Sequence, residues 1–214
     1  HFTRYADDTM VFTKSEMAAN RVMKSITDWI ERKLFLKVNA TKTKVVRPTR
    51  SKYLGFTFLN HGGEWKVKPT TEKKKKLKQK LSEYLKRNKA IARPLAVTIK
   101  RVNEIVRGWI NYFRIGMMKT FMQEFGAWLR HKIRVIVIKQ WKTPKTIYRN
   151  LCYLNQKNKN GFDHEAIYKV ANSRLGWYRR SGMNVVNFII SPDLLENKIK
   201  DGAGLLNPLN YYLR

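Results

Sequence analysis

The sequence predicts an α+β fold: a short antiparallel, β-rich stretch with one helix, followed by a larger and mainly helical part. Three observations carry this. Residues 1–13 and 51–68 hold short runs of aromatic and β-branched residues separated by turn residues, the pattern of hairpins. From Pro69 onward the apolar residues recur every three or four positions, the pattern of amphipathic helices. Pro94 and Pro144 then interrupt that pattern, so the helical part divides into several helices with short links.

In the first stretch, Tyr5-Ala6-Asp7-Asp8 stands between His1-Phe2-Thr3-Arg4 and Thr9-Met10-Val11-Phe12-Thr13. A strand, a tight acidic turn and a second strand make a hairpin with Asp7 and Asp8 at its tip. Adjacent strand residues point to opposite faces, so the two carboxylates need not share one job. Hard cations such as Mg²⁺ are held by one or two carboxylates plus phosphate oxygens, so the pair suits half of a two-metal site. An Asp pair in a turn also has a purely local use, bonding its own backbone.

Ser15 to Lys33 reads as a helix that Ser15 can cap, with Ala18, Val22, Ile26, Trp29 and Ile30 on one face. Leu34 to Asn39 returns to an extended pattern. Ala40 to Lys44 is turn-like, and Val45-Val46 reads as a strand that Pro48 ends. Ser51 to Leu59 predicts another strand, bent at Gly55. Asn60 to Glu64 is a hairpin turn, from which Trp65 to Lys68 pairs back.

Thr70 or Thr71 begins a helix with Leu77, Leu81 and Leu85 at four-residue spacing. Its other faces carry Lys73, Lys74, Lys75, Lys76, Lys78 and Lys80, then Lys86, Arg87 and Lys89. A second helix follows Pro94, with an apolar seam of Ile99, Val102, Val106, Trp109 and Phe113. Lys100, Arg107 and Arg114 recur every seven residues and share a different face. Gly108 reads as a site of close helix packing, and Gly116 as a C-cap. A third helix runs from about Thr120 to Trp141, with Phe121, Phe125, Trp128, Leu129, Ile133 and Ile136 on its core face. Pro144 to Leu154 and Asp163 to Ser173 read as short helices, the latter capped by Asp163. The rest is short helices and turns. The expected division is 1–68, 69–143 and 144–214.

Charge bounds the function. Lys and Arg number 45 in 214 residues against 15 Asp and Glu, a net charge of +30. That exceeds what solubility needs and calls for a polyanionic partner, nucleic acid before an anionic membrane surface. There is no apolar run of membrane-spanning length. The single Cys152 excludes an internal disulfide and fits a reducing compartment such as a cytoplasm. The four His are scattered, and neither a zinc site nor a metal-dependent nuclease cluster is expected. The opening His1, with a strand beginning at once, reads as the C-terminal part of something longer. The lysines of 73–80, with Lys100, Arg107 and Arg114, suit phosphate contacts. Tyr112 lies off the apolar seam and is a candidate base contact. Trp177, Tyr178, Arg179 and Arg180 mix aromatic and basic residues, which suits nucleic acid, although a buried Trp with exposed arginines fits equally.

Six stretches agree in order with one family: Arg4-Tyr5-Ala6-Asp7-Asp8; Val38-Asn39-Ala40-Thr41-Lys42-Thr43-Lys44-Val45; Tyr53-Leu54-Gly55-Phe56-Thr57-Phe58; Arg107-Gly108-Trp109-Ile110-Asn111-Tyr112-Phe113; Trp128-Leu129-Arg130 through Arg134, then Lys139-Gln140-Trp141-Lys142; and Ala171-Asn172-Ser173-Arg174-Leu175-Gly176-Trp177-Tyr178-Arg179. In these the chain resembles the C-terminal half of a group II intron-encoded reverse transcriptase, or maturase. The resemblance implies the end of a polymerase palm, a helical thumb and a basic DNA-binding domain. It implies an RNA-directed DNA polymerase in which Asp7 binds both catalytic Mg²⁺ ions, Asp8 adjusts the charge, and Lys42 or Lys44 lies near the dNTP phosphates. Arg130, Arg134, Arg174, Arg179 and Arg180 join the nucleic-acid contacts. The implied partners are intron RNA, an RNA template–DNA primer duplex, target DNA and dNTP.

Two departures qualify it. Family members carry fingers and an earlier palm strand with another metal-binding Asp, and many end in a nuclease module with Cys and His ligands; neither is in this sequence. The expectation is therefore a chain that is inactive alone and binds Mg²⁺ weakly unless the N-terminal portion joins it. The alternatives are a catalytically silent, RNA-binding maturase fragment and a reverse transcriptase recruited to another host role such as defence.

Overall fold

The structure, a computed structural model, describes residues 1–197 and 204–214. The chain divides into two compact units, His1–Thr70 and Thr71–Arg214. The fold is α+β, as the sequence predicts: the first unit carries two small antiparallel sheets and the second is helical.

In the first unit, β1 (Phe2–Tyr5) pairs antiparallel with β2 (Asp8–Val11), Phe2 opposite Val11 and Tyr5 opposite Asp8. Helix α1 (Glu16–Leu34) follows, its first turn capped by the Ser15 hydroxyl, which accepts from the Ala18 N–H. A 3-10 turn at Pro48–Arg50 leads to β3 (Phe56–His61) and β4 (Glu64–Pro69), joined through Gly62 and Gly63. Both glycines have positive φ, which a two-residue hairpin turn of this hand requires. The Phe12 and Phe58 rings meet edge to face at 5.7 Å and tie the first hairpin to the second.

Two strand expectations fail. Residues 45–46 form no strand, and β3 begins at Phe56 rather than Ser51. A strand exists only as half of a ladder, and within this unit β3 and β4 pair with each other alone. The apolar face of α1 is present and partly covered: Ala18, Val22 and Ile30 are half-buried, while Ile26 and Trp29 are exposed.

The second unit opens with α2 (Thr71–Tyr84) and the single turn α3 (Arg87–Ala90). Helices α4 (Leu95–Phe113) and α5 (Lys119–Gln140) follow. Leu77, Leu81 and Leu85 are buried, as are Ile99, Val102, Val106, Ile110 and Phe113 from α4. On α5, every residue from Ile133 to Ile138 is buried. A helix covered all round is the centre of its unit rather than a surface helix with one apolar stripe. Helices α6 (Pro144–Lys157) and α7 (His164–Ala171) pack together, each capped by its own side chain, Thr143 and Asp163. The short α8 (Trp177–Ser181) and α9 (Asn184–Ile189) lie against α5 and the α6–α7 pair respectively. The turn α10 (Pro192–Glu196) and α11 (Pro208–Leu213) complete the unit, with α11 packed on both α4 and α5.

Asn103, buried on α4, anchors the C-terminal segment. Its amide donates to the Gly204 carbonyl at 2.8 Å, and its carbonyl accepts from the Leu206 N–H at 2.8 Å. Gly116 is not the left-handed C-cap its sequence suggests: Arg114 is the cap residue in right-handed conformation, and Gly116 is absent from the positive-φ residues. It is buried instead, and its carbonyl accepts from the Tyr212 hydroxyl at 3.0 Å. Among the described residues no helix is long and apolar enough to cross a membrane.

Candidate nucleic-acid interface and acidic hairpin

The first hairpin turns through Ala6 and Asp7, with Ala6 at φ +52° and Asp8 the first residue of β2. The Arg4 guanidinium donates to the Ala6 carbonyl at 2.8 Å and braces the turn. The Tyr53 hydroxyl donates to the Asp8 carbonyl at 3.4 Å, a contact from 45 residues away. Both carboxylates are exposed at the tip. Among the described residues, no group of three or more His, Cys, Asp or Glu stands together. Lys42 is exposed on a turn closed by Asn39, whose side-chain oxygen accepts from the Thr41 and Lys42 N–H groups. No ion pair joins Lys42 to Asp7 or Asp8 among the described residues.

In the helical unit, the lysines of α2 do not share one environment. Lys74 and Lys78 are half-buried, their ammonium groups 5.0 and 5.8 Å from the Phe121 ring centre. They lie over the negative face of an aromatic ring and cover the core below it. Lys73, Lys76 and Lys80 instead line one wall of a groove of about 560 Å³. The opposite wall is α4, through Arg101, Glu104, Ile105, Gly108, Trp109 and Tyr112. Arg101 and Glu104 pair across one turn at 2.8 Å. Lys75 is exposed outside the groove, and so are Lys100, Arg107 and Arg114 on the other side of α4. Arg114 also turns back on α11, donating to the Tyr211 carbonyl at 3.0 Å.

Of the α4 wall, Tyr112 alone is among the residues the sequence marks as candidate contacts. A signal for it exists in the sequence: Arg101, Ile105, Gly108 and Tyr112 follow the helical spacing of one face. Gly108 also needs a new account. A Cβ added there would meet nothing within 4 Å, so the glycine does not serve close helix packing.

Two arginines expected at nucleic acid are turned inward. Arg134 is 7% exposed and donates to the carbonyls of Ile190 at 2.8 Å and Asn187 at 3.3 Å. Burial, with Arg130 nearby, pulls its pKa down to about 10, so it stays charged at neutral pH. Arg180 is 8% exposed, donates to the Ser173 carbonyl and lies 4.8 Å from the Trp177 ring centre. Their guanidinium groups satisfy backbone carbonyls at the end of α9 and ahead of α8, which a buried carbonyl requires. Arg130 is half-buried beside Gly126, while Arg174 and Arg179 are exposed. The Trp177 ring also carries Lys139 at 4.3 Å, so it belongs to the packing between α5 and α8.

His131 joins that packing. Its Nε2 lies 3.0 Å from the Tyr178 carbonyl and its ring 4.1 Å from the Tyr178 ring. Burial holds its pKa below the usual value; the carbonyl opposes this, and Arg134 and Lys132 add to it. The neutral ring therefore contributes stability that is present above the unfolded pKa of about 6.5 and lost as pH falls through the folded value. The melting temperature is expected to fall on acidification below about pH 6.5, and His131→Gln to flatten that window in thermal unfolding scans. An unchanged profile in the variant would exclude His131 as the cause.

An exposed acidic tip on one unit and a basic grooved surface on the other are the chemistry of a protein that works on nucleic acid. Comparison with known families gives this class its place. The family model "Reverse transcriptase (RNA-dependent DNA polymerase)" matches residues 1–58, and "Group II intron, maturase-specific domain" matches residues 74–154. The two matches, in this order along one chain, support a group II intron reverse transcriptase and maturase. No curated protein matches it.

Proposed function

We propose that the chain supplies the acid-tipped hairpin and basic helical portion of an RNA-directed DNA polymerase that also binds its intron RNA as a maturase. The observation that carries this reading is Asp7 and Asp8, exposed on a braced hairpin inside the reverse transcriptase match. Its partners are the RNA template–DNA primer duplex, intron RNA, target DNA and dNTP, met in the bacterial cytoplasm or nucleoid.

The hard carboxylate oxygens of Asp7 and Asp8 fit Mg²⁺. When bound there, Mg²⁺ supplies activation of the primer 3′-hydroxyl and neutralisation of the leaving pyrophosphate. Asp7 is the holding ligand, and Asp8 adds negative charge beside it. Lys42, on its Asn39-closed turn, is the donor for the leaving pyrophosphate. A two-metal site needs a further carboxylate beside these two.

Primer extension tests this. The 214-residue chain is expected to add no nucleotides alone, and to do so when the preceding segment is supplied in the same polypeptide. Extension by the chain alone would overturn the incomplete site. No extension by the longer protein, with RNA binding intact, would favour the silent RNA-binding maturase.

A further inference from the structure

Gly108 stands in the middle of the 19-residue helix α4 without a conformational or packing reason to be glycine. Its φ is not positive, it is exposed, and an added Cβ would meet open space. Glycine at such a position destabilises a helix by about 1 kcal/mol relative to alanine. What it does is leave a notch in the groove wall. Lys73, Lys76 and Lys80 face it, spaced as one face of α2, and Trp109 and Tyr112 flank it on α4. Tyr112 is 57% exposed, so part of its ring is open to a ligand. Lys73, Lys76, Lys80 and Arg101 line the groove together with Glu104, which pairs with Arg101. From Arg101 to Tyr112 the wall extends for about 16 Å.

Taking the nucleic-acid reading of this chain as its basis, we infer that the α2–α4 groove seats a short single-stranded segment of nucleic acid. The backbone phosphates lie along Lys73, Lys76 and Lys80, the strand passes closest to α4 at Gly108, and a base stacks on Tyr112. A duplex does not meet these conditions, because its bases already have both faces covered by neighbours and cannot offer one to Tyr112. A neighbouring protein segment with an apolar face would use the groove's apolar floor but would bring no phosphates to the lysine wall.

Fluorescence anisotropy on the 214-residue chain tests this, with labelled, unstructured RNA and DNA oligonucleotides of about ten nucleotides. Gly108→Leu fills the notch and favours the helix, so the variant keeps its fold, which circular dichroism checks. It is expected to weaken single-strand binding by about tenfold or more, with the salt slope unchanged because no charge is lost. Tyr112→Ala is expected to lose about tenfold while Tyr112→Phe retains the affinity. Lys76→Gln is expected to lower the salt slope by about one unit. Loss with both oligonucleotides points to recognition through phosphate and base face, and loss with RNA alone adds the 2′-hydroxyl; both support the groove. A folded Gly108→Leu protein that binds single strands like the parent overturns the inference, as does a loss confined to duplex. Equal binding of an unstructured acidic peptide overturns it too. Parallel titration with folded group II intron RNA separates the two levels: if the parent binds that RNA and Gly108→Leu keeps full single-strand affinity, only the groove assignment fails. If the parent binds no intron RNA, the underlying reading fails.

Discussion

Asp7→Asn, in a protein that carries the preceding polymerase segment, is expected to lower nucleotide addition by about a thousandfold or more while leaving RNA affinity unchanged. The amide keeps the shape of the side chain but removes the charge that holds a hard cation. A metal ion at such a site contributes several kcal/mol of transition-state charge stabilisation, and each 1.36 kcal/mol is about tenfold in rate. The turn itself should survive, because its bracing bonds run from Arg4 to the Ala6 carbonyl and from Tyr53 to the Asp8 carbonyl, not to either carboxylate. Asp8→Asn is expected to cost less, since in the proposed site Asp8 adds charge beside Asp7, the holding ligand. Single-turnover primer extension beside RNA-binding titrations checks both. Full activity in Asp7→Asn would remove the hairpin from the catalytic site.

Arg134→Met is expected to lower stability by about 3 kcal/mol, and the melting temperature by about 6–12 °C, with oligonucleotide affinity unaffected. The methionine fills similar space but leaves the Ile190 and Asn187 carbonyls without their donor. Unsatisfied buried acceptors cost about 1–3 kcal/mol each. Arg134→Lys should fall between, because an ammonium group is a point donor and does not reproduce the guanidinium fork. Thermal unfolding followed by circular dichroism measures this. A stable Arg134→Met protein with weakened nucleic-acid binding would return Arg134 to the interface.

Much of the helical part is legible in the sequence. Leu77, Leu81 and Leu85 recur at the helical period, and the fold buries all three. Ser15 and Asp163 read as caps, and each accepts from an N–H in the first turn of its helix. Local interactions decide these features, so local sequence reports them. The strands are less legible. An extended pattern at 34–39 and 45–46 shows a preference, and a strand also needs a neighbour to bond with.

The acidic hairpin and the charge imbalance are likewise written in the chain: a pair of Asp between two short strand-forming runs and a threefold excess of basic residues need no tertiary information. Which cations face a ligand is a different matter. Lys74 and Lys76 are two residues apart, yet one lies over the Phe121 ring and the other lines a groove. Arg134 and Arg179 are both arginines in matched motifs, yet one is enclosed among backbone carbonyls and the other exposed. Gly108 reads as a packing residue until the space around it is known to be empty. Helical periodicity tells which residues share a face; which neighbour that face meets depends on how the helices turn against one another. Charge and motif thus come from the chain, while the sorting of its basic residues into core, brace and groove comes from packing.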